Sequence, residues 1–153
     1  MRSQKQEILV LISKQFITSV VVFMQNAQLI IFYDGGCPLC VKEMRHLKRL
    51  DKEGRIQFES VNEPDFSQRY PQVEVAKANQ YLHGQVSSGD MIYGLDVTHE
   101  AWSLVGKGWM IAPLRWPVIR WFADKTYLFF ARNRNRISKL LTGEERCSQC
   151  SID

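Results

Sequence analysis

Apolar and polar positions alternate along the first half of this chain in patterns that predict a mixed α/β domain. Five apolar or aromatic residues, 29–33, precede Asp-Gly-Gly, which is typical of a short buried strand ending in a tight turn. Apolar side chains then recur every three residues over 41–50, which predicts an amphipathic helix over 38–52. Residues 56–61 alternate in polarity, so we expect a second strand, parallel to the first, in a right-handed βαβ unit.

The middle of the chain is more polar and predicts shorter elements. We expect one short helix within residues 65–82 and a Gly/Ser-rich loop over 83–90. Residues 91–98 predict a strand or a hairpin, and residues 100–109 predict a helix with Trp109 on its inner face.

The last third of the chain carries large apolar side chains at helical spacing. Two helical segments are predicted, over 116–122 and 127–141, with Gly143 ending the second. We expect their aromatic side chains to fill the core of a helical cap and their arginines to face water. The fold class is therefore α/β, with a helical, aromatic-rich C-terminal part.

Residues 1–27 form a predicted N-terminal extension, with Met24 as an alternative start. They contain two apolar runs that Ser13, Lys14 and Gln15 separate. A small-residue cleavage site does not follow, so a secretory signal peptide is not favoured. No window reaches the roughly 18 uninterrupted apolar residues of a transmembrane helix.

Composition is that of an ordinary globular domain, and the charge is unevenly placed. The 153 residues are 45% hydrophobic and 24% charged, with a formal net charge of +4. Residues 115–146 carry eight Lys or Arg against three acids. This basic stretch could contact phosphates or an anionic lipid surface, but a solvated face is the simpler interpretation, and nucleic-acid binding is not favoured.

The strongest chemical signal is the Cys-x-x-Cys pair Cys37 and Cys40, which follows a strand and opens a helix. That context favours a dithiol redox site over a metal half-site or a structural role. Pro38 suits the first helical position, and Cys37 at the helix N-terminus would be stabilised as a thiolate. Gly35 and Gly36 are predicted to let the turn approach closely.

Asp34 lies three residues before Cys37 and has two candidate roles. Its carboxylate could exchange a proton with Cys40 during the reaction, as a general base does. Alternatively, it could accept hydrogen bonds from the backbone N–H groups of the turn.

A second pair, Cys147 and Cys150, lies in the polar tail 144–153. It could relay electrons to the first pair by thiol–disulfide exchange, contribute to a four-thiolate zinc site with Cys37 and Cys40, or belong to a tail without a chemical role. The 106 residues between Cys40 and Cys147 make the zinc site the alternative rather than the first choice.

The motif Asp34-Gly35-Gly36-Cys37-Pro38-Leu39-Cys40 resembles the signature of the DCC family of thiol–disulfide oxidoreductases. Further resemblance lies at Gly94-Leu95-Asp96, Ala101-Trp102 and 131–134. The resemblance covers residues 28–141 and implies a thioredoxin-like domain over 28–143 with dithiol chemistry. One departure is that the segment 85–91, where we expect the cis-proline of thioredoxin-like enzymes, contains no proline, which puts a general protein-disulfide reductase role in doubt.

These observations predict a thiol–disulfide oxidoreductase in which Cys37 attacks, Cys40 resolves and Asp34 assists. The reaction needs no bound cofactor, and its partner would be a protein or small-molecule disulfide or thiol. We expect a monomer in the cytoplasm, with weak membrane-surface contact as a further option. The alternative is a zinc-binding or interaction module that uses both cysteine pairs.

Overall fold

The computed structural model describes residues 27–143 together with residues 146, 150 and 152. The predicted N-terminal extension up to residue 26 and the predicted roles of Cys147 lie outside the described residues. All structural statements below concern the described part of the chain.

Four strands form one mixed sheet. They are β1 (Leu29–Tyr33), β2 (Ile56–Ser60), β3 (His83–Val86) and β4 (Met91–Tyr93). The strand order is β2-β1-β3-β4. As predicted, β1 pairs in parallel with β2, and on its other side β1 pairs antiparallel with β3, which pairs antiparallel with β4.

Helices cover both faces of the sheet. They are α1 (Pro38–Leu50), α2 (Phe66–Arg69), α3 (Val75–Ala78), α4 (Leu95–Leu104) and α5 (Pro117–Thr142), with 3₁₀ turns at Gly108–Met110 and Ala112–Arg115 between α4 and α5. One short helix was expected over 65–82, and the structure has two, α2 and α3.

Two apolar clusters hold the sheet, because successive β1 side chains point to opposite faces. On one face Leu29 and Ile31 join the buried side chains of α1 and α4, and on the other Phe32 packs with Phe66 beneath α2 and α3. Buried apolar area of this kind is the main favourable contribution to folding. The result is a thioredoxin-like α/β domain.

Helix α1 follows its predicted pattern. Val41, Met44 and Leu47 are each 1% exposed and face the sheet. The helix ends at Leu50, two residues before the predicted end, since Asp51 caps it and accepts hydrogen bonds from the N–H groups of Arg55 at 3.0 Å and of the first β2 residue at 2.7 Å.

The predicted loop over 83–90 is wrong at its beginning, where the structure has strand β3. Gly84 lies opposite Ile31 in β1. A Cβ at Gly84 would come within 3.0 Å of Val97, so glycine permits the close approach of α4 to the sheet. The Gly/Ser-rich composition suggested a loop, but pairing with β1 satisfies backbone groups that a loop would leave open.

Helix α4 begins at Leu95 and ends at Leu104, whereas a helix over 100–109 was predicted. Gly94, with φ +57°, precedes it, and Gly106, with φ +76°, follows it. Residues 95–98 contain a β-branched valine and threonine, which favour strands and so hid the start of the helix. This preference is weak, and tertiary packing overrides it. Trp109, predicted to be buried, is 75% exposed.

The two predicted C-terminal helices are one continuous helix of 26 residues, α5, and Gly143 in the left-handed conformation caps it as predicted. The expected helical cap, with aromatics in the core and arginines in water, is wrong for most of the aromatics and for Arg134, whereas Arg132 and Arg136 are exposed as expected. Trp121 and Phe129 are 61% and 66% exposed, whereas Arg134 is 9% exposed. None of the described helices combines the length and the apolar character that crossing a bilayer requires.

Candidate active site

The strand-turn-helix segment at the end of β1 places the first cysteine pair as predicted from the motif. Cys37 is the N-cap of α1 and Pro38 its first residue. The Cys37 N–H donates to the Asp34 carbonyl at 3.1 Å. A Cβ on Gly35 would collide with the Ser60 side chain of β2, so glycine lets the turn lie against the sheet.

Both thiols of the pair are free, and they are unequal. Cys37 is fully buried and Cys40 half-buried. The Cys40 N–H donates to Cys37 Sγ at 3.5 Å. The first N–H groups of a helix have no partner within the helix, so they can donate to an anion such as a thiolate.

The pKa of Cys37 is lowered to about 6. The largest cause is a hydrogen bond from the Cys40 thiol, against which burial acts. The Cys40 N–H and the Arg134 guanidinium lower the pKa further, and Asp34 opposes them. At neutral pH Cys37 is therefore mainly a thiolate, the form that attacks disulfides.

The pKa of Cys40 is raised strongly. Its first cause is that the Cys40 thiol donates its proton to Cys37, followed by burial and by the negative charge on Cys37. Arg134 acts in the opposite direction. At neutral pH the reduced pair therefore carries one thiol proton for two sulfurs. This proton is bound to Cys40 and forms a hydrogen bond to Cys37.

Arg134 of α5 joins this site, although it lies 94 residues beyond Cys40. Its Nη1 donates to Cys40 Sγ at 3.7 Å, and its Nη2 donates to Asp34 Oδ2 at 2.8 Å and to the Asn79 carbonyl. The Asp34 side chain is 0% exposed. A charge-assisted bond to a buried carboxylate is among the stronger protein hydrogen bonds.

Both carboxylate oxygens of Asp34 are occupied. Oδ1 accepts from the Gly36 N–H at 2.9 Å and lies 3.5 Å from Nη2 of Arg146, while Oδ2 holds Arg134. The structure thus places Asp34 in the turn-bonding arrangement, one of its two predicted roles, and adds a cationic partner.

Sequence reasoning missed Arg134, because the run from Arg132 to Arg136 looked like a solvated face. A signal was present in its helical spacing. Ala131, Arg134 and Ser138 recur at i, i+3 and i+7, and all three are buried. An arginine on the same helical stripe as a small alanine and serine faces the domain interior, where its charge requires a buried anionic partner.

Tyr127 is a second residue that sequence reasoning missed. Its hydroxyl accepts the Leu82 N–H at 3.0 Å, and burial raises its pKa to about 12. With Cys40, Asp34 and Arg134 it lines a small cavity of about 60 Å³ beside the thiols.

The position that corresponds to the cis-proline also differs from the prediction. Because β3 begins at His83, the residues before it are Tyr81 and Leu82, not residues within 85–91. Neither is proline, and the described residues contain no cis peptide bond. The Leu82 backbone is bonded instead to Tyr127 and to the Gly94 N–H, at 2.8 Å.

The second cysteine pair is described only at Cys150, which is disulfide-bonded and packs with Ile152 against the apolar cluster of α1 and α4. A disulfide sulfur is not a thiolate ligand. Within the described ranges no group of three or more His, Cys, Asp or Glu side chains could hold a metal ion. The predicted relay and zinc roles of Cys147 remain predictions.

Comparison with known proteins decides the family. The model of the DCC1-like thiol-disulfide oxidoreductases matches residues 31–140, which include Asp34, both site cysteines and Arg134. The chain belongs to this DCC1-like family. The family is described as one of thiol-disulfide oxidoreductases.

One curated relative is an uncharacterized chloroplastic protein of Arabidopsis thaliana, 28% identical over 116 residues. The match covers 74% of this chain and 54% of the relative, so this DCC1-like chain spans about half the length of the relative. No solved structure matches the chain.

Proposed function

We propose that this protein exchanges disulfides through the Cys37–Cys40 dithiol. The Cys37 thiolate attacks one sulfur of a substrate disulfide, whose S–S bond breaks. A mixed disulfide forms on Cys37, and the other substrate sulfur leaves as a thiolate that takes a proton from solvent. The lowered pKa of Cys37, to about 6, is the observation that carries the proposal.

Cys40 completes the reaction. It loses its proton and attacks Cys37 Sγ, which releases the second substrate thiol and leaves a Cys37–Cys40 disulfide. Two electrons have then passed to the substrate, and the reverse sequence oxidises a dithiol. No bound cofactor is required, because the cysteines carry the electrons.

The causes of the raised Cys40 pKa support this order of events. The bond to the Cys37 thiolate and its negative charge raise the Cys40 pKa, and both disappear once Cys37 is in a mixed disulfide. Arg134, 3.7 Å from Cys40 Sγ, then favours the Cys40 thiolate. Cys40 thus becomes reactive only after Cys37 has reacted.

In this proposal Asp34 and Arg134 are positioning residues. Asp34 holds the turn through the Gly36 N–H and fixes the guanidinium, which faces Cys40. The substrate class is a protein or small-molecule disulfide. The bond between Leu82 and Tyr127 occupies backbone next to the site, which favours small or specific substrates over unfolded protein chains.

The test is the alkylation of Cys37 against pH in reduced full-length protein. We expect a midpoint near 6, and a higher midpoint in Cys40→Ala, which loses the donating thiol. Cys40→Ser is the matched control because its hydroxyl can still donate. Since Cys37 is buried, the midpoint rather than the rate is the readout.

The same samples are then equilibrated in glutathione buffers and analysed by mass spectrometry for a Cys37–Cys40 disulfide. Reversible formation of this disulfide supports the proposal. A midpoint near the ordinary value of about 8.5 together with no reversible disulfide would overturn it.

A further inference from the structure

Helix α5 carries an apolar face that no described element covers. It consists of Ile119, Phe122, Phe129, Phe130 and Leu140, which are 38%, 62%, 66%, 42% and 85% exposed. Four of them recur at i, i+3, i+10 and i+21, the spacing of one continuous helical stripe. Monomeric domains rarely expose a contiguous apolar patch of this kind without a partner.

Exposed aromatic side chains also precede the helix. Trp109 and Trp116, in the turns before α5, are 75% and 69% exposed. An apolar indentation of about 450 Å³ opens between Leu95 at the start of α4 and Phe122 on this face. The surface is therefore broad, aromatic and uneven.

A basic stripe lies next to the apolar face on α5. It consists of Lys125, Arg132, Arg136 and Lys139, all exposed, and successive members lie seven, four and three residues apart, which keeps them on one side of the helix. The one acid within α5 is Asp124, which pairs with Arg120 at 3.8 Å. The stripe therefore presents positive charge that an anionic partner would complement.

We infer that α5 lies on an anionic lipid surface, with its apolar face in the headgroup boundary and its basic stripe against the headgroups. A basic, aromatic amphipathic helix binds membranes in this in-plane manner, and tryptophan favours the membrane interface. The helix is too polar to cross a bilayer and, at 26 residues, would extend about 39 Å along its surface.

A second copy of this chain is a poorer occupant. Two copies meeting through α5 would bring together two basic stripes with one acid per helix, Asp124, which already pairs with Arg120. Like charges in close contact are destabilising. An anionic bilayer instead offers both the apolar layer and the negative charge.

Docking in this way would place the dithiol across α5 from the lipid, on the side of the helix that faces away from the membrane. Arg134 and Tyr127 project from the buried side of the same helix onto Cys40 and Leu82. The inference does not depend on the redox chemistry, because the residues changed in the vesicle test below take no part in the proposed exchange reaction.

The test is co-sedimentation of the full chain with vesicles of phosphatidylcholine containing phosphatidylglycerol, compared with phosphatidylcholine alone. We expect binding to the anionic vesicles that falls at least about 10-fold on the neutral ones and weakens with salt. The variant Phe122→Ser/Phe129→Ser should lose at least about 10-fold in partitioning. Tyr93→Ser, at a 48% exposed site on β4, is its matched control.

A charge variant completes the design. Lys125→Gln/Arg132→Gln/Arg136→Gln should also lose at least about 10-fold on anionic vesicles, while Lys48→Gln/Arg49→Gln/Lys52→Gln, with the same loss of charge on and just after α1, should retain binding. Equal losses in both charge variants, equal binding to neutral vesicles, or no binding by the full chain would overturn the inference. A dimer in light scattering that Phe122→Ser/Phe129→Ser converts to a monomer would assign the face to a second copy and also overturn it.

Because the sulfur chemistry is separate, Cys37 alkylation is measured on every variant. Unchanged midpoints with lost vesicle binding would support lipid docking as an independent property. A midpoint that shifts together with binding in the exposed phenylalanine variants would indicate a disturbed fold rather than a lost surface and would count against the inference.

Discussion

At the scale of single residues, the buried ion pair of Asp34 and Arg134 lies beside two cysteines that hold one thiol proton between them. Asp34 and Arg134 neutralise each other beside two sulfurs of which one is anionic at neutral pH. Desolvating charges is costly, so such a pair contributes little by itself, but removing one partner leaves an uncompensated buried charge. The chemistry of the thiols and the stability of the fold are therefore linked through the same guanidinium.

Arg134→Met should destabilise the domain by up to about 3–5 kcal/mol, because Asp34 would stay buried with only the more distant and half-exposed Arg146 beside it. The pKa of Cys37 should rise, since Arg134 lowers it. Urea unfolding and alkylation against pH measure the two effects. Arg132→Met, at an exposed neighbour, should change neither.

The double variant Asp34→Asn/Arg134→Met separates charge from packing. It should recover part of the lost stability, because no buried charge is left unpaired. A double variant as unstable as Arg134→Met alone would contradict the ion-pair explanation.

The stability of the reduced protein should depend on pH through Cys37. Its pKa is about 6 in the folded state and about 8.5 when unfolded. Between these values the unfolded chain binds more protons, so stability should increase as pH rises from 6 to 8.5. Below the folded pKa this contribution is lost.

Cys40 has the opposite sign, because its folded pKa is raised. Its contribution is complete below the unfolded pKa of about 8.5 and decreases above it. Urea unfolding of reduced protein at pH 6, 7, 8 and 9, compared with Cys37→Ala, measures both. A flat difference between the two proteins across this range would contradict the assigned thiolate.

At the scale of elements, α5 is attached to the sheet through two side chains on its buried face. Tyr127 bonds the Leu82 backbone just before β3, and Arg134 reaches the turn after β1. Gly94, with φ +57°, lies under the Tyr127 ring, and a Cβ there would come within 3.1 Å of it. The close approach of α5 to the α4 N-terminus requires glycine at this position.

Gly94→Ala should therefore destabilise the protein by about 1–3 kcal/mol, through backbone strain and the contact with Tyr127. Gly106→Ala is the matched control, since Gly106 also has a positive φ of +76° but nothing within 4 Å of its would-be Cβ. Thermal unfolding of both variants measures the difference. Equal destabilisation would mean that strain alone acts and that the Tyr127 contact costs nothing.

At the scale of the whole molecule, opposite sides of α5 have different tasks. One side completes the dithiol site through Arg134, and the other presents Phe122 and Phe129 to solvent. Interactions without shared partners add independently.

Arg134→Lys should therefore raise the Cys37 alkylation midpoint, because a lysine cannot reproduce the fork of guanidinium bonds, yet leave vesicle binding unchanged. Phe122→Ser/Phe129→Ser should show the reverse pattern. Alkylation and co-sedimentation on the same preparations test this, and a change in both properties in both variants would show that the two sides are coupled.

The sequence by itself determined the elements that depend only on residues close together in the chain. The strand before Asp34, the helix after Cys37 and the cap at Gly143 follow from apolar periodicity, a Pro at the first helical position and a Gly at the last. The pair Cys37 and Cys40 was identifiable because its chemistry requires only a short spacing. Their placement in the structure follows the motif, and the family comparison supports the redox role.

The tertiary structure decided what depends on distant partners. Gly84 lies in a strand because it pairs with Ile31 of β1. The nearby Val97 leaves little room for a larger side chain at this position. The position before β3, which bears on substrate access, could be located only once that strand was known. Arg134 is buried and Phe129 is exposed, the reverse of what was expected. The face of α5 turned toward the sheet carries Tyr127, Arg134 and small residues, whereas Phe129 lies on the opposite side. Helical spacing specifies which residues share a face, whereas the packing of the whole chain selects the face that is buried.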